Sequence, residues 1–134
     1  MARHWQSLRT TDFPAPPGAV AVLPVGALEQ HGPHLPLGTD LLLAEALASR
    51  AADQARTGAC YLLPVIPIGA SEEHHDWPGT IWLGAEEMIA MLMAVARGVA
   101  DAGIRKLLLV NGHGGNVPAL QTVVRRARIR HGLF

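Results

Sequence analysis

Three short, continuous apolar runs separated by stretches of helical periodicity leave this chain few choices of fold. Ala19-Val20-Ala21-Val22-Leu23-Pro24-Val25 shows no polar alternation, the pattern of a strand buried on both faces. Tyr61 to Ile68 reads as a second such strand, although Pro64 and Pro67 limit its ladder and favour a short or edge position. Lys106-Leu107-Leu108-Leu109-Val110 is the third. Between them, apolar residues return at helical spacing. Leu43, Leu47 and Ala51 mark a stripe in a helix from Asp40 to about Ala55, and Met88, Leu92, Val95 and Val99 one from about Ala85 to Ala102. Gly103 is a helix stop, and a third helix starts near Val117 with Asn116 as its expected N-cap. The order is βαβαβα. Helical crossovers between buried strands require parallel pairing, so the expected fold is α/β, with three layers (α/β/α) around a mostly parallel sheet.

The length suits one domain, 1–134. The last helix carries Arg125, Arg126, Arg128 and Arg130 on a solvated face, and Gly132 ends it. Leu133-Phe134 then reads as the start of another buried strand, so the domain is expected to be incomplete at its C-terminal end. Lys plus Arg and Asp plus Glu both total 11, which leaves no basic footprint for nucleic acid. No stretch is long and apolar enough to cross a membrane, and Met1 to Gln6 lacks the apolar core of a secretion signal. A single cysteine, Cys60, excludes an intrachain disulfide and reads as a core residue, so a cytoplasmic location is expected.

The chemistry lies in the loops that follow the strands. Glu29-Gln30-His31-Gly32-Pro33-His34-Leu35-Pro36-Leu37-Gly38-Thr39-Asp40 packs two carboxylates and two imidazoles into a stretch that Gly and Pro keep from being helical. Those are the ligand types of Zn²⁺, Mn²⁺ and Fe²⁺. Asp40 as a simple helix cap remains the alternative reading. Asn111-Gly112-His113-Gly114-Gly115-Asn116 follows the third strand, where glycines allow close backbone approach and His113 can turn inward. Ser71-Glu72-Glu73-His74-His75-Asp76-Trp77-Pro78-Gly79-Thr80 follows the second. It is either a solvated turn or a substrate-covering loop in which Glu73 or His74 handles protons and Trp77 or Trp82 forms an apolar wall. Ser71 lacks the trailing glycine of a nucleophile elbow. All three loops leave the carboxyl ends of strands, where parallel sheets bind ligands.

Together these motifs resemble the creatininase (creatinine amidohydrolase) family. Pro24 to Asp40 is similar to its signature, Glu73-His74 through Trp77-Pro78-Gly79-Thr80 to its middle motif, and Asn111 to Asn116 to its second. The resemblance implies a metal-dependent hydrolase of a non-peptide or cyclic amide C–N bond. It further implies two divalent ions (Zn²⁺, Mn²⁺ or Fe²⁺), a small-molecule substrate and a homo-oligomer, commonly a hexamer. By the same resemblance Asp40 bridges the ions, Glu29 and His113 bind one and His31 the other. His74 is the first choice to protonate the leaving nitrogen, and Asn111, Asn116 and His34 are candidates to orient the imidazoles. Creatininase proper carries a Glu where this chain has Gly115, and relatives with the Gly-Gly version take that ligand from further downstream. A 134-residue chain is therefore expected to hold the second ion poorly. The departure also points away from creatinine towards the broader family, which includes formamide hydrolases and peptide-trimming enzymes of redox-cofactor maturation. An inactive α/β fragment that serves only in assembly is the competing reading.

Overall fold

The computed structural model describes residues 1–56 and 58–134. Its sheet is parallel throughout and runs in the order β1-β3-β2-β4, with β1 Arg3–His4, β2 Val20–Val25, β3 Cys60–Leu62 and β4 Lys106–Asn111. The βαβαβα order expected from the apolar runs is present, with α1 Thr39–Asp53, α2 Ala85–Asp101 and α3 Val117–His131. The N-terminal β1 is an addition that its two polar residues did not announce. β2 is central because it is buried on both faces. Ala21, Leu23 and Val25 pack with Met88, Leu92, Val99 and Val123 of the α2–α3 layer, while Val22 packs with Ala48, Ala52, Cys60 and Leu62 under α1. Burial also pushes the Cys60 thiol pKa up, aided by the charge of Asp53, as suits an inert core residue.

Two expectations need correction. The buried stripe of α1 is Asp40, Ala44, Ala48 and Ala52, whereas Leu43 and Leu47 are 62% and 63% exposed. The helix lies too close to the sheet for leucine. A Cβ built on Gly26 would fall 2.4 Å from the Leu41 Cα, and one on Gly112 would fall 2.4 Å from the Asp40 carbonyl oxygen. Only small residues fit under a helix so placed, which turns the large apolar ones outward. The second strand is also shorter than Tyr61–Ile68. Its ladder ends at Leu62, and the chain rejoins the sheet through a single bridge between Ile66 and Val25. Pro64 and Pro67 have no N–H to offer a longer ladder.

α2 and α3 end as expected, with Gly103 (φ 86°) just past α2 and Gly132 (φ 63°) capping α3, both in the left-handed region open to glycine. Beyond Gly132, the Phe134 N–H donates to the Arg105 carbonyl and the Leu107 N–H to the Phe134 carbonyl, both at 2.9 Å. The final residue thus pairs along the outer edge of β4.

Candidate metal centre

Parallel register decides which loops meet. Val25 sits opposite Asn111 and bridges to Ile66, so the segments leaving β2, β3 and β4 emerge side by side at the carboxyl edge. α1 starts at the same edge and carries Asp40 in its first turn. Because Gly112 has no side chain, that turn rests directly on the end of β4, which brings Asp40 against His113. Glu29, Asp40 and His113 are all buried, at 5%, 8% and 6% exposure.

Asp40 faces both imidazoles. Its Oδ1 is 3.1 Å from His31 Nε2, and its Oδ2 is 3.1 Å from His113 Nδ1, which lies equally far from Glu29 Oε1. Helix capping is not its role, since Gly38 is the N-cap and no side chain among the described residues caps α1. In each ring the other nitrogen has a backbone acceptor: His31 Nδ1 at 3.1 Å from the Glu29 carbonyl, and His113 Nε2 at 3.0 Å from the Ala70 carbonyl. Those carbonyls fix the tautomers, so the nitrogens aimed at Asp40 carry lone pairs when the rings are neutral. Lone pairs and carboxylate oxygens converging at such distances need protons or a cation between them. Glu29 Oε2 makes the same demand, since it is fully buried and has no hydrogen-bond partner among the described residues. Ligand atoms of Glu29, His31 and Asp40 lie within 4.8 Å of one another, and so do those of Glu29, Glu73 and His113. The donor set, with oxygen and imidazole nitrogen and no sulfur, fits Zn²⁺, Mn²⁺ or Fe²⁺.

The orienting groups differ from those expected. The imidazoles lean on the Glu29 and Ala70 carbonyls, which a sequence does not advertise. Asn116, fully buried, holds the expected N-cap position of α3, but its side chain is turned away from the helix end and makes no capping hydrogen bond there. Its Nδ2 donates to the Gly26 carbonyl and to Asn111 Oδ1 (both 3.0 Å), and its Oδ1 accepts the Ala70 N–H (2.8 Å). Asn111 in turn donates to the His113 carbonyl at 2.7 Å. The two asparagines therefore tie the loops together rather than touching the rings. Exposed His34 lies over Gly32, with no hydrogen bond to a ligand ring among the described residues. Ser71, missed as a site residue, is fully buried with its Oγ 3.4 Å from His113 Nε2.

His74 stands at the rim. The Gly32 N–H donates to Gln30 Oε1 (3.1 Å), so the Gln30 amide group is what faces His74 Nδ1 at 3.2 Å. That contact leaves the His74 proton on Nε2. Glu73 Oε1 is 3.7 Å from His113 Nε2. A cavity of about 400 Å³ opens beside His31, walled by Gln30, Pro33, Leu37, Trp77 and Pro78. Trp82 is not among its walls. A larger apolar groove of about 770 Å³, along α3 and β4, holds none of the ligand candidates.

The match to known proteins follows the same residues. The family model described as creatinine amidohydrolase covers residues 3–134. The chain belongs to the creatininase family. A mycofactocin precursor peptide peptidase of Mycobacterium ulcerans is 44% identical over 113 residues, which is 80% of this chain and 45% of that protein. A creatinine amidohydrolase of Pseudomonas putida is 36% identical over 102 residues, covering 72% of this chain and 38% of that one. The solved structure "Creatininase Mn" superposes with a TM-score of 0.80 at 28% identity, over 96% of this chain and 54% of the other. This creatininase-family chain thus spans about half the length of the relatives it matches, or less.

The His31 pKa is raised above its ordinary 6.5, chiefly by the hydrogen bond to the Glu29 carbonyl, against burial that lowers it and with the Asp40 charge adding to the rise. A raised value means that protonated His31 stabilises the metal-free fold below about 6.5, and that this contribution is lost as pH climbs through the folded value. A divalent cation needs the neutral ring. Zinc affinity is therefore expected to rise from about pH 6 to 8 while the metal-free thermal midpoint falls, and His31→Asn should flatten both. Calorimetric titration and thermal melts across that range check it. A metal-free midpoint that rises with pH and is unchanged in the variant would contradict it.

Proposed function

We propose that this chain carries the metal centre of a hydrolase that cleaves an amide C–N bond with water as nucleophile. The observation that carries the reading is the convergence of Glu29, His31, Asp40 and His113 on the carboxyl edge, with a buried Glu29 oxygen left unpartnered. Asp40 is the bridging group, since its two oxygens address two different imidazoles. Glu29 and His113 hold one divalent ion and His31 the other. Bound there, such ions supply an acidified water and polarisation of the amide carbonyl. The Glu29 and Ala70 carbonyls keep the two rings in their ligating tautomers throughout. His74, whose Nε2 carries the proton, delivers it to the leaving nitrogen.

The cavity beside His31 suits a small-molecule amide of the non-peptide or cyclic class. A peptide end is the second reading, favoured by the higher identity to the mycofactocin precursor peptide peptidase than to the creatinine amidohydrolase. The outward leucines Leu42, Leu43 and Leu47 of α1 support a homo-oligomer in which that face is covered. Elemental analysis, with hydrolysis assays on cyclic amides, formamides and short peptides, tests the function. A metal-free chain with no hydrolysis of any of these would leave the assembly reading in possession. His74→Gln is expected to lower kcat by roughly 10²- to 10⁴-fold, the usual contribution of a general acid, while the metal content stays unchanged. Loss of metal in that variant would remove His74 from the acid role.

A further inference from the structure

The cavity beside His31 has one wall that the reading above leaves without a task. Trp77 lines it, is 57% exposed and joins none of the described ring pairs, whereas Trp5 packs on Phe13 and Tyr61. An indole left open beside a cavity offers a large flat face with no partner in the fold. Leu37 and Pro78 continue the apolar wall, and Gln30 and His31 supply its polar side chains. Among the described residues no Asp, Glu, Lys or Arg lines the cavity, so it offers no partner to a phosphate, carboxylate or ammonium group.

The wall is built before any ligand arrives, because the turn that carries Trp77 is pinned to the loop after β2. The Ile81 N–H donates to the Leu28 carbonyl (2.9 Å) and the Gln30 N–H to Thr80 Oγ1 (3.2 Å). The Thr80 N–H closes the turn on the Trp77 carbonyl at 3.2 Å. Gly79 completes it. Its φ of 90° lies in the left-handed region, and a Cβ there would fall 2.6 Å from Leu37 Cδ1. A bare backbone at 79 is thus the condition for Leu37 to lie on the turn that presents Trp77. A face fixed in advance costs little ordering entropy when a ligand meets it.

We infer that Leu37 and Trp77 are specificity-determining residues: they take a flat, uncharged ring of the amide substrate, stacked on the Trp77 indole with Leu37 closing one side. His31 lines the same cavity, so a ring held there has its amide beside the metal centre. The inference names a substrate class for the hydrolase reading and rests on that reading for the reaction, while the ring site rests on the cavity alone. Leu37 and Trp77 are both exposed, so their replacement leaves the core untouched.

The test is titration of the 134-residue chain, in zinc-containing buffer, with benzamide and with acetamide, which lacks the ring. Two-dimensional NMR follows the tryptophan indole N–H signals and the amide of Gly32, which lines the cavity. Benzamide should move the Trp77 and Gly32 signals saturably, leave Trp5 unmoved, and bind at least about tenfold more tightly than acetamide. Trp77→Ala should weaken benzamide binding at least about tenfold, while Trp77→Phe keeps it within about threefold of wild type. Leu37→Ala should weaken it about threefold. No saturable shift, equal affinity in Trp77→Ala, or equal affinity for acetamide would overturn the inference. Hydrolysis in the same samples reports separately. Amide turnover with kcat/KM for benzamide unchanged by Trp77→Ala overturns the inference and leaves the hydrolase reading intact. Ring binding as expected, with no turnover of any amide, removes the hydrolase reading and keeps the ring site.

Discussion

Asp40→Asn is expected to reduce amide hydrolysis by at least about a thousandfold, on the order of 4 kcal/mol of transition-state stabilisation, and to strip the chain of bound metal. The substitution keeps the shape of the side chain and removes the charge. Among the described residues Asp40 is the one carboxylate in contact with both imidazoles, at 3.1 Å from His31 Nε2 and from His113 Nδ1. An amide can donate its N–H to the lone pair of one ring, but its neutral oxygen cannot serve as an anionic bridge between two cations. The fold should survive, because the amide fits the same volume under the first turn of α1 and relieves crowding among acceptors. We expect metal-free stability within about 1 kcal/mol of wild type. Metal content by elemental analysis, urea denaturation and turnover of the best substrate, measured on the same preparation, separate the effects. Wild-type metal content in the variant would disprove the bridging role, and unfolding would show that the carboxylate is structural.

Asn116→Ala should cost about 3 to 5 kcal/mol of stability, a large share of the roughly 5–15 kcal/mol that such domains possess. This side chain joins all three loops that build the site. It donates to Gly26 after β2, accepts from Ala70 after β3, and donates to Asn111 at the end of β4. Alanine would leave the Gly26 carbonyl and the Ala70 N–H without their partner, and each such orphan costs about 1–3 kcal/mol. Zinc affinity of the molecules that remain folded should also fall, since the Ala70 carbonyl that orients His113 is held in place by this residue. Asn116→Asp keeps the acceptor for Ala70 but loses both donors, and is expected to be nearly as damaging. A denaturation midpoint equal to wild type in both variants would show that the loops hold together without the asparagine.

The elements of the fold were legible because each one was written in a single local pattern. β2 is a continuous apolar run, and it became the central strand. α2 shows Met88, Leu92 and Val99 at helical spacing, and these face the core. α1 was misread by one position for a physical reason. Hydrophobic size selects Leu43 and Leu47, but the close approach of the helix to Gly26 and Gly112 selects Ala44, Ala48 and Ala52 instead. That closeness is a property of the packed pair, and neither segment declares it alone. The ligand candidates were legible for the opposite reason. Carboxylates and imidazoles crowded into a glycine- and proline-rich loop have few structural uses, so residue type was informative without geometry.

By itself, then, the sequence determined that the sheet is parallel, that its carboxyl edge collects Glu29, His31, Asp40 and His113, and that the family is that of the creatininases. Those follow from periodicity, chain order and residue chemistry, all of which are local or directly countable. Only the tertiary structure decided how these groups face one another. The register of Val25 against Asn111 set the loops side by side, and the bare backbone of Gly112 let Asp40 reach His113. The Glu29 and Ala70 carbonyls chose the tautomers. Backbone carbonyls and missing side chains carry no signature in a sequence, because every residue has the first and every glycine the second. Their effect exists only where folding places them.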